Sequence, residues 1–180
     1  MPEGIAEGIG ASVRRKEDKK FTTGKGRYTD DINRPGQLHA FFIRSDVAHA
    51  KIKRIDITKA LKSDGVAAIY TGADIAADGI GGPICGWTPT NRDGSAPKEP
   101  PHPLLANGKV RYVGDHIAVV IAESMEQAKS AAENVKIDLE TLAPVVDLST
   151  AIGNTQIHDE MDDNVYFDWE LGDEKATADA

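Results

Sequence analysis

Two consecutive runs of alternating residues begin the regular part of the chain. In QLHAFFIRS (37–45) apolar side chains fall on both faces, which predicts a strand covered on two sides or near the centre of a sheet. In KIKRIDIT (51–58) the alternation changes frame at Arg54, where we expect a β-bulge. The two runs lie close together along the chain and predict an antiparallel pair.

Short elements follow these strands. Thr58 is placed to cap a helix of one or two turns that ends at Gly65, because threonine caps helix starts and glycine favours helix ends. The segment VAAIYTG (66–72) predicts a short buried strand, and ADIAADG (73–79) predicts a short helix or turn.

The clearest local unit is a strand, a helix and a second strand. HIAVVIA (116–122) is a continuous apolar run typical of a buried strand. Ser124 and Gln127 have the spacing of a capping box at a helix start. The helix then carries an apolar stripe of Met125, Ala128, Ala131, Ala132 and Val135. VKIDLE (135–140) predicts the second strand, and the crossover is right-handed if both strands share a sheet and run parallel.

Other stretches have weaker patterns. Residues 1–20 are rich in glycine and then in charge, which predicts an irregular arm. Residues 79–109 are rich in glycine and proline, and a loop of that length is functional, an interface element or disordered. A helix is expected near Asp147. The acidic residues 161–180 carry no closing signal, so we expect a fragment of a longer protein.

Composition narrows the classes of protein. A chain of 180 residues, 40% hydrophobic and 28% charged, suits one globular domain. The net charge of −8 argues against a nucleic-acid partner, because phosphate binding requires a concentrated basic face. The single cysteine, Cys85, excludes an internal disulfide and an iron–sulfur site built from this chain alone. With no secretory signal and no membrane-length apolar run, we expect a soluble cytoplasmic protein.

Glycine pairs raise the possibility of a phosphate-binding loop. Neither Gly8 with Gly10 nor Gly24 with Gly26 has the third glycine of the dinucleotide fingerprint, and neither pair lies between a predicted strand and a helix. We interpret them as positions where the backbone turns.

Adjacent carboxylates at Asp30 and Asp31 raise the possibility of a metal site. Neighbouring side chains on an extended chain point to opposite sides, so the two rarely share one ion. Formation of a turn ahead of Pro35 and Gly36 is the better interpretation.

Histidine and cysteine are the remaining candidates. The five histidines are His39, His49, His102, His116 and His158. None has the short spacing of a zinc motif, although His39 and His49 approach each other if their strands pair. Cys85 lacks a recognisable neighbouring base, so we interpret it as a loop cysteine. We assign no catalytic, cofactor-binding or metal-ligating residue.

Several motifs occur in a fixed order along the chain. They are S-V-x-R-x-E-D (12–18), T-G-x-G-x-Y-x-D-D-I (23–32), P-G-x-L-H-A (35–40), R-S-x-x-A-H-A-x-I (44–52), GVAAIYTGADI (65–75) and RYVGDHIAVVIAE (111–123). Together they resemble the start of the large subunit of molybdenum hydroxylases, the family of xanthine dehydrogenase, aldehyde oxidase and carbon monoxide dehydrogenase. His116 stands where that family usually has proline, which alters only the local entry to the strand.

The resemblance implies an α+β fold, the α/β hammerhead, with a mixed sheet flanked by helices. It divides the chain into an arm (1–20), a hammerhead domain (21–148) and the truncated start of the molybdenum-cofactor-binding region (149–180). The molybdopterin cofactor and the catalytic residue of the family lie later in the subunit, and the 2Fe-2S clusters and FAD lie on partner subunits or domains. No cofactor is expected in this chain.

The function that the resemblance implies is a scaffold and subunit-interface domain of a hydroxylating oxidoreductase, inactive by itself. Its partners would be the rest of its own subunit and the iron–sulfur and flavin subunits, without nucleic acid or membrane insertion. The N-terminal arm and the loop 79–109 are the candidate contact elements, because irregular segments often carry binding residues. The alternative is a stand-alone hammerhead module that binds a ligand or protein without redox chemistry.

Overall fold

A computed structural model describes residues 9, 11, 13 and 15–180 of the protein. The chain forms two units, residues 1–37 and residues 38–180, and each is described by itself. Gly8 and Gly10, interpreted above as turn positions, lie outside the described residues.

The first unit contains helix α1 (Asp18–Thr22) and a 3-10 turn (Thr29–Asp31). Helix α1 begins inside the stretch that was expected to be irregular. The ring of Phe21 stacks on Tyr28 with 5.0 Å between ring centroids. A Cβ atom at Gly26 would approach the Phe21 ring to 2.1 Å, so the ring packs directly against this glycine.

The aspartates and the Pro-Gly pair of this unit form turns, as expected. The Asp31 carboxylate accepts a hydrogen bond of 2.9 Å from the backbone N–H of Tyr28. Gly36 has a φ of +74°, which L-residues rarely adopt, and the N–H of Gln37 donates to the carbonyl of Arg34 at 3.1 Å.

The second unit contains six strands and three helices. The strands are β1 (His39–Arg44), β2 (Ala50–Asp56), β3 (Val66–Thr71), β4 (Lys109–Val110), β5 (His116–Ala122) and β6 (Lys136–Thr141). The helices are α2 (Gly72–Ala77), α3 (Met125–Ala132) and α4 (Glu174–Ala178), with 3-10 turns at Ala60–Lys62 and Leu148–Thr150. The α+β class is confirmed.

The strands form two three-stranded sheets, ordered β1-β5-β3 and β4-β2-β6, and every pair is antiparallel. The predicted pairing of β1 with β2 is wrong, because β1 pairs with β5 and β2 pairs with β4 and β6. The right-handed crossover was expected only if β5 and β6 shared a sheet and ran parallel. They belong to different sheets, so no such crossover forms. Two antiparallel sheets therefore take the place of the expected mixed sheet.

The first sheet buries one face against helix α3. Its core contains Ala60, Ile69, Val120, Ala122, Ala128 and Ala131. Strand β5 is central and hydrogen-bonded on both edges, which fits its continuous apolar run. Strand β1 is an edge strand with only alternate residues half-buried, so the expectation of a strand covered on two sides is wrong.

The second sheet has a smaller core of Ala50, Ala106, Val110 and Ile117. The register of β2 against β6 shifts between Ile52 and Arg54, which confirms the expected bulge. The loop 79–108 has no helix or strand, as predicted.

Only some of the helix starts predicted from the sequence are present in the structure. The Ser124 hydroxyl accepts a hydrogen bond of 3.2 Å from the N–H of Gln127, which confirms the cap of α3. The reciprocal half of the capping box is absent, because the Gln127 side chain donates to Asp64 instead. Thr58 caps no helix, since the 3-10 turn after it is preceded by Lys59 without a side-chain cap. The helix expected near Asp147 is a single 3-10 turn, in which the Asp147 carboxylate accepts from Ser149 at 2.9 Å.

An ion pair fixes the segment after β6 to strand β4. Lys109 is 9% exposed, and its ammonium group donates to both oxygens of Asp159 at 2.7 and 2.8 Å. The hydrogen bond from Lys109 lowers the pKa of the Asp159 carboxyl. Within the described residues, no helix is long and apolar enough to cross a lipid bilayer.

Gly72 provides a test of the contact between α2 and the segment before β4. A Cβ atom at this position would lie 2.3 Å from the carbonyl oxygen of Ala106, and backbone atoms cannot move aside cheaply. We expect Gly72→Ala to lower the free energy of unfolding by about 1–3 kcal/mol in urea titrations, as overpacking does. Gly81→Ala is the matched control, because nothing lies within 4 Å of its added methyl group. Equal stability of the two variants would contradict the close approach.

Because Lys109 is buried and Asp159 is exposed, we expect loss of either partner to lower the free energy of unfolding by a different amount. Asp159→Asn leaves a buried ammonium without a counter-charge and is expected to cost about 1–3 kcal/mol at pH 7. Lys109→Met removes the buried charge and leaves Asp159, whose side chain is 70% exposed, in water, so its cost is expected to be smaller. Urea unfolding of both variants measures the difference, and an equal or reversed order would contradict this account.

The same pair predicts a dependence on pH. Because the folded-state pKa of Asp159 is lowered, the stability that it contributes is present above the unfolded-state pKa of about 3.9 and is lost as the pH falls through the folded-state pKa. Asp159→Asn removes this part of the acid sensitivity, which unfolding curves between pH 7 and acid would show.

Candidate functional site

A cleft of about 530 Å³ lies between the loop 83–102 and the segment 145–166. Its apolar lining consists of Pro83, Ile84, Pro100, Val145, Ala151, Ile157 and Met161. Its polar lining consists of Cys85, Glu99, His102, His158, Asp163, Asn164 and Tyr166. A concave, mainly apolar surface with a few polar groups is the usual form of a binding site.

The amide of Asn164 gives the C-terminal wall of the cleft its shape. Its nitrogen donates to the carbonyls of Ala151 at 2.9 Å and Thr155 at 3.0 Å, and its oxygen accepts from the N–H of Ile157 at 3.1 Å. Met161 is only 6% exposed on the same wall. One side chain therefore closes a loop of about a dozen residues by three hydrogen bonds.

Aromatic and polar contacts join the two walls beside the cleft. Trp87 packs edge-on against Phe167 and Trp169, with ring centroids 5.6 and 5.3 Å apart. Arg92 pairs with Asp168 at 3.2 Å, and the side-chain oxygen of Asn91 accepts a hydrogen bond from the N–H of Asp168 at 3.0 Å. These contacts bridge positions more than 70 residues apart, so spacing along the sequence gave no sign of them.

Cys85, His102 and His158 meet in this cleft, a grouping that sequence spacing did not predict. The exposed Cys85 thiol donates to the carbonyl of Trp87 at 2.9 Å, and in the described part of the chain no hydrogen bond joins it to a histidine. Burial, and then the charge of Arg111, lowers the pKa of His158, so this imidazole is neutral near pH 7. The geometry lacks the contact between thiol and base that an activated nucleophile requires.

The other histidines are structural. His49 is 2% exposed, and its Nδ1 lies 2.8 Å from the carbonyl oxygen of Ala143. His39 lies in β1 and His49 immediately precedes β2, so the approach that pairing of those strands would have given does not occur. His116 begins β5 and packs against Phe42 with 4.7 Å between ring centroids.

Neither a metal ion nor a phosphate-bearing cofactor fits the cleft. Among them, no three histidine, cysteine, aspartate or glutamate side chains are grouped to hold a metal. The charged residues that line the cleft are Glu99 and Asp163, which would repel an anionic phosphate group. The cleft therefore does not form the cradle that the family's pterin cofactor would require. The assignment of no catalytic, cofactor-binding or metal-ligating residue stays a prediction.

Comparison with known proteins identifies the fold family. Residues 23–143 match the family model described as "Aldehyde oxidase and xanthine dehydrogenase, a/b hammerhead domain". The chain is 39% identical over 158 residues to the nicotine 6-hydroxylase large subunit of Paenarthrobacter nicotinovorans, covering 87% of this chain and 19% of that protein. It is 35% identical to the carbon monoxide dehydrogenase large chain of Afipia carboxidovorans, covering 95% of this chain and 22% of the relative.

Solved structures agree with these relatives. Quinoline 2-oxidoreductase from Pseudomonas putida 86 superposes with a TM-score of 0.73 at 34% identity, over 91% of this chain and 20% of that one. The Cu,Mo-containing CO dehydrogenase gives the same TM-score at 31% identity, over 96% of this chain and 22% of that one. The chain spans about a fifth of the length of the relatives it matches. It belongs to the aldehyde oxidase and xanthine dehydrogenase family of molybdenum hydroxylases, and the part of the family that it carries is the α/β hammerhead domain.

Proposed function

We propose that the chain is a scaffold and subunit-interface domain of a molybdenum hydroxylase and has no active site of its own. The single observation that carries this proposal is the apolar loop that the hammerhead domain exposes. Ile84 is 95% exposed at the mouth of the cleft, and Ile80 and Trp87 are about half exposed nearby in sequence. Exposed large apolar side chains in one loop are typical of a protein–protein contact.

The partners that this role implies are the remainder of the large subunit and the subunits or domains that carry 2Fe-2S clusters and FAD. The molybdopterin cofactor would be held outside these residues, in the later part of the subunit, as the family resemblance implies. The domain boundaries at 20/21 and 148/149 and a cytoplasmic location belong to the same proposal. The boundaries rest on the family resemblance, and the location rests on the single cysteine and the lack of a recognisable secretory signal in the sequence.

A stand-alone binding module is the second candidate, and the cleft is the observation that favours it. Both walls belong to this chain and are held by contacts within it, such as the Trp87 cluster and the Asn164 hydrogen bonds. A ligand could therefore bind without any other subunit. In the scaffold proposal the cleft and its exposed loop contact another protein. In the binding-module proposal the cleft binds a small molecule.

Metal and pterin analysis tests whether the molybdenum cofactor is bound by this chain or by another part of the enzyme. We expect the purified 180-residue chain to contain neither molybdenum nor pterin, and the protein encoded by the complete reading frame to contain both. Inductively coupled plasma mass spectrometry and pterin fluorescence measure the two quantities. Stoichiometric molybdenum in the 180-residue chain would contradict the absence of a site. A stop codon directly after Ala180 would favour the stand-alone module.

Ile84 tests the interface role. Ile84→Asp changes an exposed side chain, so the stability of the chain alone is expected to stay within about 0.5 kcal/mol. In the complete enzyme the aspartate would be buried at the contact, and we expect at least about a tenfold loss of assembled complex. Native mass spectrometry measures assembly, with Ile84→Val as the matched control that keeps the apolar surface. Normal assembly of Ile84→Asp would contradict a role for this loop.

A further inference from the structure

The bulge in β2 leaves a backbone N–H beside β4 without an acceptor. The register of β2 against β4 pairs Ala50 with Val110 and Lys51 with Lys109, which places Ile52 opposite Gly108. Opposite residues of this class exchange two hydrogen bonds in a regular antiparallel ladder. Only one is present, from the N–H of Ile52 to the carbonyl of Gly108 at 2.9 Å. Among the described residues the Gly108 N–H therefore has no backbone acceptor.

The residue before this glycine is an asparagine with an exposed side chain. In the part of the chain that the structure describes, neither end of the Asn107 carboxamide takes part in a hydrogen bond. Asn107 and Gly108 also line a groove of about 270 Å³ beside the β2 bulge, so the carboxamide has room to rotate. An unbound side-chain amide thus lies next to an unbound backbone N–H.

Glycine at position 108 lowers the steric barrier to a reaction between these two groups. It has no Cβ, its φ is +74°, and apart from its chain neighbours no described atom lies within 4 Å of the place that a Cβ would take. Strand β4 (Lys109–Val110) is two residues long and forms the edge of its sheet. A short edge strand opens locally without unfolding of the domain, which allows the backbone to rotate.

The other asparagines lack this combination, because each makes a side-chain hydrogen bond or precedes a bulkier residue. Those with side-chain hydrogen bonds are Asn91, Asn134, Asn154 and Asn164, and none of them precedes a glycine. Asn33, in the first unit, precedes Arg34. The structure therefore singles out Asn107 among the six asparagines of the sequence.

We propose that Asn107 is a site of spontaneous deamidation through a cyclic imide, and that the isoaspartate which results releases β4 from β2. Both reacting groups belong to this chain, and water is the only other reactant. The reaction therefore requires no partner and no open strand edge.

The bonds of the reaction balance in two steps. The Gly108 nitrogen attacks Cγ of Asn107, a bond forms between them, and the bond from Cγ to Nδ2 breaks. The side-chain nitrogen leaves as ammonia and takes the proton of the Gly108 amide. Water then opens the imide: breaking the new bond gives aspartate, and breaking the original peptide bond gives isoaspartate, in which the main chain runs through Cβ and Cγ.

Isoaspartate at this position disturbs a backbone that is fixed on both sides. The N–H of Ala106 donates to the carbonyl of His116 at 2.6 Å, and the carbonyl of Gly108 accepts from Ile52. The extra carbon atom lengthens the main chain between these two contacts, so both cannot keep their geometry. Lys109, the next residue, holds Asp159, so the segment after β6 loses its anchor when β4 shifts.

The first test measures the reaction in the protein encoded by the complete reading frame. Peptide mapping by mass spectrometry during storage at 37 °C is expected to show loss of Asn107 at least about tenfold faster than loss of Asn164. The rate is expected to rise in mildly alkaline buffer, because the attacking nitrogen must lose its proton. Electron-transfer fragmentation distinguishes isoaspartate from aspartate. Asn107→Gln is the matched control, since its longer side chain would close a larger and slower-forming ring.

The second test separates the added carbon atom from the added charge. Hydrogen exchange of β4 and of residues 156–162 is expected to be faster in stored protein that contains isoaspartate than in fresh protein. Asn107→Asp carries the same new charge without the longer main chain, and it is expected to exchange like fresh protein. Stored Asn107→Gln is expected to remain unchanged.

Three results would overturn the proposal. They are an Asn107 that persists as long as Asn164, a product without isoaspartate, and an isoaspartate-containing protein whose β4 exchanges as slowly as before storage. Equal exchange in Asn107→Asp and in the stored protein would assign the effect to charge and would contradict release by the longer main chain. None of these results concerns molybdenum content or assembly, so the proposed function stands or fails separately.

Discussion

Strand β5 is the element on which the rest of the second unit depends, because it is hydrogen-bonded on both edges and supplies both cores. It pairs with β1 on one side and β3 on the other. Ile43 pairs with Ala118 and Arg44 with His116, so Ile117 is an extra residue on β5. Ile117 enters the smaller core, and Val120, three residues further on and so on the opposite face, packs with Ala128 and Ala131 of α3.

Long-range contacts then build the cleft between the loop 83–102 and the segment 145–166. The Lys109–Asp159 pair and the Trp87 cluster hold the segment 145–170 against elements that precede it, and the Asn164 hydrogen bonds close a loop within that segment. The Cys85 thiol and the imidazoles of His102 and His158 line this cleft, but in the described part of the chain no hydrogen bond joins the thiol to an imidazole, and the carboxylates of Glu99 and Asp163 disfavour phosphate.

The molecule presents two different kinds of exposed surface. Around the loop 79–103, single apolar side chains such as Ile84 extend from an irregular backbone. Along β1, by contrast, one backbone edge pairs with no strand of the described residues, and Lys129 and Glu133 of α3 lie beside it. Side chains that extend from a loop can adapt their shape, whereas the hydrogen-bonding groups of a strand edge have a fixed spacing.

The sequence by itself determined the local elements and the family. The apolar run of β5, the Ser124 cap, the bulge near Arg54 and the turns at Asp31 and Gly36 depend on neighbouring residues, and each is present. The ordered motifs likewise determined the hammerhead fold. Only the tertiary structure decided which strands pair, which face of β1 is covered, and that Cys85, His102 and His158 share a cleft. The alternation of apolar and polar residues indicates which side chains of a strand share a face, but it does not indicate which other strand pairs with it. That choice depends on the total burial that distant segments achieve together.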